Sequence, residues 1–468
     1  MGFVIYDLAF LAIFTIFIIL FIQTKKKNLE RQGILYLYKT KFGIDFIDKI
    51  AKKYKNILMP ARYVVVASGI ILMATIIWLM AQSTYLYLTT QISQVIKAPP
   101  LVPLIPYFPK IFGLESLLPP LYFTYFIIAF GVVAISHEFS HGLFARLHNF
   151  KIHSTGFAFM GPILGAFVEP DEKQMAKAKK FPQLSVLAAG TFANVIMTII
   201  FGLVLWLFFI SAFSPAGLKF NTYALAEIPL KDITILEDST LGEELVKVSV
   251  SNQIFYLDKQ ALSDSLEKNT PSIIGYIDSP AFRSQLKGAI TEIDGGKISS
   301  YDDLASSLES LKPGDTVTIR TAVLKNNLDS NSEIKEYKIV LGEREGKSFL
   351  GVGFWPVQTR GILGKIYQNS IIKIKDPRIY YESSLKDFGW FIYFLLWWIV
   401  VINIAVALFN MLPLGILDGG RFFYLLVWGI TGKEKIGKKS YQIATYALIA
   451  VVILLMARWV FSLLSNWV

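Results

Sequence analysis

The sequence predicts a polytopic α-helical membrane protein of about six transmembrane helices, with one β-rich polar domain inserted between spans four and five. Composition is the first observation behind this. Of 468 residues 54% are hydrophobic and mean hydropathy is +0.50, and the apolar residues gather in runs about one bilayer thick. Charge is the second. Lys and Arg number 46 against 35 Asp and Glu, a net charge of +11, yet the lysines cluster beside apolar runs as cytoplasmic loops require. The charge therefore reports topology, and no nucleic-acid partner is called for. The third observation is a change of pattern at residues 214–388, where long apolar runs give way to strand-like alternation and turn signals.

Residues 1–120 read as two N-terminal spans with a basic loop and a proline-rich external segment. Phe3 to Ile22 is one bilayer thickness long and is followed directly by Lys25, Lys26 and Lys27. A signal peptide carries its charge ahead of the apolar core, so this run reads as a retained anchor with its N-terminus outside. Residues 24–62, lysine-rich and moderately amphipathic, suggest a helical cytoplasmic loop lying on anionic lipid. Val64 to Tyr87 returns outward. From Pro99 to Pro120 the prolines exclude a regular helix, and an extracellular cap on the membrane surface is expected.

Residues 121–213 hold the first half of a catalytic core. The third span begins near Leu121 and ends in His137-Glu138-Phe139-Ser140-His141, with Arg146 and Lys151 at its cytoplasmic end. Imidazoles four residues apart lie on one helical face, so His137 and His141 can share a metal ion. Glu138 stands beside that ion without binding it, as a general base for hydrolysis requires. Ionisable groups at membrane depth are costly unless paired or metal-bound, which favours a metal site over a structural histidine pair. His148 and His153 read as ordinary interfacial histidines.

Residues 152–168 are apolar but interrupted by Gly156, Gly161, Pro162 and Gly165, which suits a re-entrant hairpin with an unpaired edge for an extended peptide. Leu184 to Phe213 is the fourth span. Within it Asn194 needs a partner inside the bundle, and Ala188, Ala189, Gly190 and Ala193 allow a neighbouring helix to approach; plain packing explains them equally well.

In the insert, residues 214–388, a strand is expected at 316–323, turns at Asp294-Gly295-Gly296 and at Pro313-Gly314, and a helix at 300–308 opened by Asp302 and Asp303. The insert joins an outward to an inward span, so it is expected outside the cytoplasm.

Residues 389–468 complete the membrane core. Gly389 to Leu412 is the fifth span, and Asn410, Pro413, Gly415, Asp418, Gly419 and Gly420 break the helix at membrane depth, where broken backbone is tolerated only around a cavity or within protein. Phe422 to Ile430 is too short to span, and Tyr441 to Leu464 makes the sixth crossing. Because cysteine is absent, zinc ligands must come from His, Asp and Glu. A hydrolytic zinc site takes three protein ligands, and Asp418 is the best third; pairing with Arg421 or capping the next helix is its competing reading. Asn410 is placed to donate a hydrogen bond to a substrate carbonyl or oxyanion.

The HExxH residues His137, Glu138 and His141, the later Asn410, Pro413, Leu417, Asp418 and Gly419, and the insert between them resemble the site-2 protease family of intramembrane zinc metalloproteases. The resemblance implies that His137, His141 and Asp418 bind one Zn²⁺ and that Glu138 is the general base. Gly190 to Asn194 is similar to the family's Gly-Pro-x-x-Asn pattern, with Thr191 in place of the proline, and implies a substrate-binding role for Asn194 beside Asn410. In the insert, residues 279–295, Lys312 to Asp315 and Leu350 to Gly353 resemble a PDZ domain, which implies an extracytoplasmic module taking a peptide or chain end.

The activity so implied is hydrolysis of peptide bonds within or near transmembrane helices of membrane proteins, in regulated intramembrane proteolysis at the cell membrane, with the zinc site toward the cytoplasm. Two other classes compete. A metal-ion transporter also places His and Asp within spans, but it needs no Glu138 and leaves the insert unexplained. A catalytically silent adaptor binding partners through the insert has no use for an intact base.

Overall fold

The computed structural model describes residues 3–26, 29–33, 35–89, 99, 101–115, 117–160, 163–236, 244–324, 332–354 and 375–465. They form two compact units, Met1–Leu207 with Phe391–Val468, and Phe208–Trp390. Six helices are long and apolar enough to cross a membrane, and the chain is a multi-pass integral membrane protein.

The first unit opens with α1 (Phe3–Thr24), in which Asp7 is the sole charge. Asp7 is 1% exposed, and its carboxylate accepts the backbone N–H groups of Phe123 at 2.7 Å and Thr124 at 2.9 Å, the Thr124 hydroxyl at 2.5 Å and the Tyr107 hydroxyl. Phe123 and Thr124 begin the helix Phe123–Leu147, whose own N-cap residue Tyr122 makes no side-chain cap. A carboxylate from another span thus satisfies two orphan donors and complements the positive end of the helix dipole.

The loop expected to be wholly helical at residues 24–62 is not. β1 (Leu29–Gln32) and β2 (Leu35–Thr40) form an antiparallel hairpin, only α2 (Ile44–Lys53) is helical, and α3 (Lys55–Thr89) already starts at Lys55. Aromatic residues such as Tyr36 and Tyr38 favour a pleated surface, and this one has a sheet to join. After α4 (Phe123–Leu147), the expected hairpin appears as β3 (Ile152–Met160) and β4 (Ile163–Pro170), the turn at Gly161 and Pro162 lying outside the described residues. The four strands lie in the order β1-β2-β3-β4. β2 therefore covers the edge of β3, and the edge left open on the hairpin is that of β4. Gly156 makes the pairing possible, because a Cβ there would stand 2.0 Å from the Tyr38 carbonyl oxygen.

α5 (Lys180–Ala212) follows as the fourth span. Its Leu187, Ala188 and Ala189 join Val65, Val66 and Met73 of α3, Phe144 and Leu147 of α4, and Met411, Phe422 and Leu425 in one buried cluster. The small residues serve close approach: a Cβ on Gly69 would lie 2.9 Å from the Ala188 Cβ.

The second unit is two β modules with separate cores, where the sequence suggested one domain. β5 (Phe213–Lys219) belongs to the second module. The first contains β6 (Leu225–Pro229), β7 (Thr234–Leu236), β8 (Leu245–Val250), β9 (Gln253–Asp258) and β10 (Ser272–Ile277), in the antiparallel order β6-β10-β9-β8-β7 around Ile228, Val248, Leu257 and Ile273. The second adds β11 (Ala289–Ile293), α6 (Tyr301–Glu309), β12 (Thr316–Leu324), β13 (Ser332–Val340) and β14 (Ile379–Ser383), in the order β13-β12-β11-β5-β14 around Leu218, Ile290, Val317, Ile319 and Leu350. The Asp294-Gly295 turn has φ of 47° and 82°, as a tight hairpin demands. α6 starts where its acidic pair signalled: the Ser300 hydroxyl accepts the Asp303 N–H at 3.1 Å, and Asp303 accepts the Ser299 N–H at 2.9 Å. The Ser299 hydroxyl and N–H hold the Asp303 carboxyl below its ordinary range.

The chain then completes the first unit with α7 (Lys386–Phe409), α8 (Asp418–Thr431) and α9 (Glu434–Ser465).

Candidate active site

His137 and His141 stand on successive turns of α4, with ring centroids 4.6 Å apart. Their Nε2 atoms approach to 3.0 Å, and Asp418 Oδ2 lies 3.2 Å from the first and 3.3 Å from the second. Among the described residues these three form the one His/Asp/Glu group able to hold a metal ion. Ligands about 2.05 Å from a tetrahedral zinc lie about 3.3 Å from one another, so the triangle fits that ion. The donor set agrees: two imidazole lone pairs facing one another beside a carboxylate repel unless a cation stands between them.

Each ring is fixed from α5. His141 Nδ1 lies 2.8 Å from the Val186 carbonyl oxygen, which can only accept, so Nδ1 carries the proton and Nε2 keeps its lone pair. His137 Nδ1 lies 3.0 Å from the Asn194 side-chain amide. The amide nitrogen faces the ring and the amide oxygen accepts the Ser136 hydroxyl at 3.5 Å; exchanging the two, which are equal in shape, turns an acceptor to Nδ1 and leaves the His137 Nε2 lone pair facing His141 and Asp418. Asn194 is fully buried, and its partner in the bundle is His137 of the triangle. Gly190 gives both rings their space: a Cβ there would stand 2.4 Å from His141 Nε2 and 2.6 Å from His137 Nε2. Thr191, where the resemblance implied proline, is buried and bonds back to the Ala188 carbonyl at 3.0 Å, so α5 runs through unbroken.

Asp418 reaches the site from irregular backbone. α7 ends at Phe409, and the chain turns through residues 410–417 before Asp418 opens α8. The Gly419 N–H donates to the Asn410 carbonyl at 2.7 Å and closes this loop. A Cβ on Gly419 would lie 2.3 Å from Met411 carbonyl carbon, and one on Gly420 2.3 Å from Leu414 oxygen, so both glycines are required by backbone approach. Asp418 faces the two histidines at the start of α8, where the helix dipole favours a carboxylate. Asn410 Nδ2 is 3.4 Å from His137 Nε2.

Glu138 projects beside this triangle, and its Oε2 accepts the Val168 N–H of β4 at 3.0 Å. Neither Val168 nor Val186 could be singled out from sequence, since both act through main-chain atoms that any residue carries. The remaining titratable candidates have other partners. Glu169 accepts from the Ser154 hydroxyl at 2.5 Å, His148 pairs with the Ser185 hydroxyl at 2.7 Å, and His153 lies 3.4 Å from Asp171.

A family model described as peptidase family M50 matches residues 125–455, which contain all of these groups. The chain is 23% identical over 345 residues to a Clostridium perfringens protein named as a zinc metalloprotease, covering 67% of this chain and 90% of that one. It is 24% identical over 212 residues to the zinc metalloprotease RasP of Shouchella clausii, covering 40% of this chain and 50% of that one. An uncharacterised protein of Methanocaldococcus jannaschii is 26% identical over 294 residues, covering 63% of this chain and 54% of that one. The extent of the family match, together with the ligand triangle, assigns the chain to peptidase family M50, the site-2 protease family, as an intramembrane zinc metalloprotease.

Proposed function

We propose that His137, His141 and Asp418 hold one zinc ion, that Glu138 is the general base, and that the enzyme cleaves transmembrane helices of other membrane proteins. The observation that carries this is the triangle of 3.0, 3.2 and 3.3 Å among the three ligand atoms beside a carboxylate that takes no part in it. When bound, zinc supplies Lewis-acid activation, bringing the pKa of water to about 7. Glu138 removes a proton from the attacking water and returns it to the leaving amine nitrogen. The Val168 N–H keeps the Glu138 carboxylate aimed, while Val186 and Asn194 hold the two imidazoles by their Nδ1 atoms. Asn194 accordingly acts through His137, and Asn410, at the edge of the triangle, donates to the substrate carbonyl.

A helical peptide bond is shielded by its own hydrogen bonds, so the substrate must be extended locally before attack. The edge of β4 left unpaired in the sheet is the place for it: its Val168 N–H is taken by Glu138, which sets the rest of that edge beside the base. The lysines at 173–180 and 433–439 support a zinc site toward the cytoplasmic side of the cell membrane and an extracytoplasmic insert. Within the insert, the β13-β12-β11-β5-β14 module with α6 and Gly351 at φ +87° supports a PDZ-like unit for an extended peptide or chain end. The M50 assignment and the engaged base leave nothing that favours a transporter or a silent adaptor.

Zinc stoichiometry and cleavage of a model transmembrane substrate in liposomes test the assignment together. Glu138→Gln is expected to keep zinc and lose cleavage, whereas Asp418→Ala is expected to lose both. Full zinc occupancy and turnover in Asp418→Ala would remove Asp418 from the ligand set.

A further inference from the structure

α2 lies along the half of α4 that carries the active-site residues. The Phe46 and Phe139 rings are 5.7 Å apart, Ile47 fills the space above Gly142, where a Cβ would stand 2.9 Å from its Cδ1, and Asp48 pairs with Arg146 through contacts of 2.5 and 2.8 Å. Phe139 is the residue after the base. Where α2 passes into α3, a cavity of about 360 Å³ opens between them and the last turn of α4, lined among others by Lys52, Lys55, Arg146 and Asn149. Asp48, the acidic group in its wall, is already neutralised by Arg146. Lys52 and Lys55 are exposed, and among the described residues neither has an ion-pair partner. The cavity adjoins the start of a membrane span: Lys55 is the first residue of α3, and Ile57, 66% exposed, lies in that helix's first turn.

We infer that this cavity is a binding site for the headgroup of an anionic phospholipid, which fastens α2 to the metal-bearing helix. Two cations without partners supply the complement to a phosphate. The acyl chains of the same molecule run along the exposed first turn of α3 at Ile57, which a free anion leaves bare. Basic pockets beside spanning helices take anionic headgroups by this combination of charge and adjoining hydrocarbon. The consequence for the enzyme is that lipid charge acts on α4 directly, through Phe46, Ile47 and Asp48.

The site is tested on the full-length, zinc-loaded protein, and its lipid readout does not depend on proteolysis. Protein is purified from membranes containing phosphatidylcholine and phosphatidylglycerol, retained lipid is quantified, and cleavage is compared in phosphatidylcholine vesicles with and without phosphatidylglycerol. Wild type is expected to retain phosphatidylglycerol selectively and to cleave faster in the mixed vesicles. At about 1 kcal/mol per lysine near the surface, Lys52→Gln with Lys55→Gln lowers phosphatidylglycerol affinity by roughly 30-fold and flattens the cleavage ratio. Lys49→Gln with Lys53→Gln removes the same charge from α2 outside the cavity lining and is expected to keep selective retention. Equal loss in both double variants means diffuse attraction and overturns the site. So does displacement of the lipid by inorganic phosphate at matched ionic strength, or unchanged retention in Lys52→Gln with Lys55→Gln.

Discussion

Along α4 and α5 the groups of the proposed site stand on unbroken helices, whereas Asp418 follows eight residues in which the chain leaves one helix and enters the next. On the helices a residue's place is fixed by the 3.6-residue repeat, and what must be right is the volume between neighbouring faces. In the loop no repeat operates. Position there depends on single contacts, the Gly419 N–H on the Asn410 carbonyl and two glycines against main-chain atoms. A side chain in the way on a helix can be met by a rotamer change or a small shift. In the loop the obstacle is backbone, which has no such freedom. The two regions therefore differ in how they fail, and graded substitutions expose the difference.

Gly419→Ala is expected to have the largest effect. The new Cβ would meet Met411 carbonyl carbon at 2.3 Å and Leu412 oxygen at 2.5 Å, so the loop must open and Asp418 must move. A loss of about 3 kcal/mol or more in stability is expected, with zinc below stoichiometric, read by thermal unfolding and metal analysis. A zinc-replete, normally stable variant would show that the loop is as compliant as a helix face. Gly190→Ala comes next. Its Cβ meets the imidazole rings at 2.4 and 2.6 Å, and the rings must turn out of the triangle they form with Asp418. A strain of about 1–3 kcal/mol appears as roughly 5- to 150-fold weaker zinc binding. Gly202→Ala in the same helix, with nothing within 4 Å, is the control and is expected to leave zinc affinity unchanged.

This contrast also accounts for what could be read from the sequence. The spans follow from apolar length and are found in α1, α3, α4, α5, α7 and α9, and the face shared by His137 and His141 follows from the helical period and is found in α4. The hairpin at 152–168 was legible from its glycines, but its extension by β1 and β2 was not, because a lysine-rich loop of mixed residues carries no signal for which distant strand it will meet. The first module of the insert escaped for a related reason: its strands are short, and their pairing order, β6-β10-β9-β8-β7, is set by tertiary packing. Asp418 could be nominated from its chemistry, and its place at a helix start was weighed as a competing reading; that it faces both histidines from that very position is visible only in the fold. Asp7, a lone charge in an apolar span, was not singled out from the sequence, and its partners 100 and more residues away are visible only in the fold.

A smaller effect is expected at Asn194, which touches no ligand atom of the triangle but holds His137 by Nδ1. Asn194→Leu fills similar volume and removes the acceptor, so His137 loses its fixed tautomer while remaining in place. Zinc affinity is expected to fall 10- to 100-fold, the range for groups that orient a metal-bound histidine, and Asn194→Asp is expected to recover it. Zinc titration of the purified variants checks this. If Asn194→Leu binds zinc as wild type does while its KM for substrate rises, Asn194 belongs to substrate recognition.

The smallest effect is expected at Thr191, one residue from Gly190 on the same helix. Its hydroxyl bonds the Ala188 carbonyl at 3.0 Å and reaches neither imidazole, so it serves the helix and not the metal. Thr191→Ala removes one hydrogen bond and one methyl group from a buried position. About 0.5–1.5 kcal/mol of stability is at stake for the hydrogen bond, partly offset because alanine favours a helix over a β-branched residue. The Ala188 carbonyl keeps its place in the helical ladder, so no acceptor is stranded, and zinc affinity is expected to stay within twofold of wild type, well below the change at Asn194. Measured side by side, the two substitutions separate stability from metal positioning within a single turn of α5. A zinc deficit in Thr191→Ala as large as that of Asn194→Leu would mean that this turn responds as one body, and that the tolerance assigned here to the helices does not hold beside the metal.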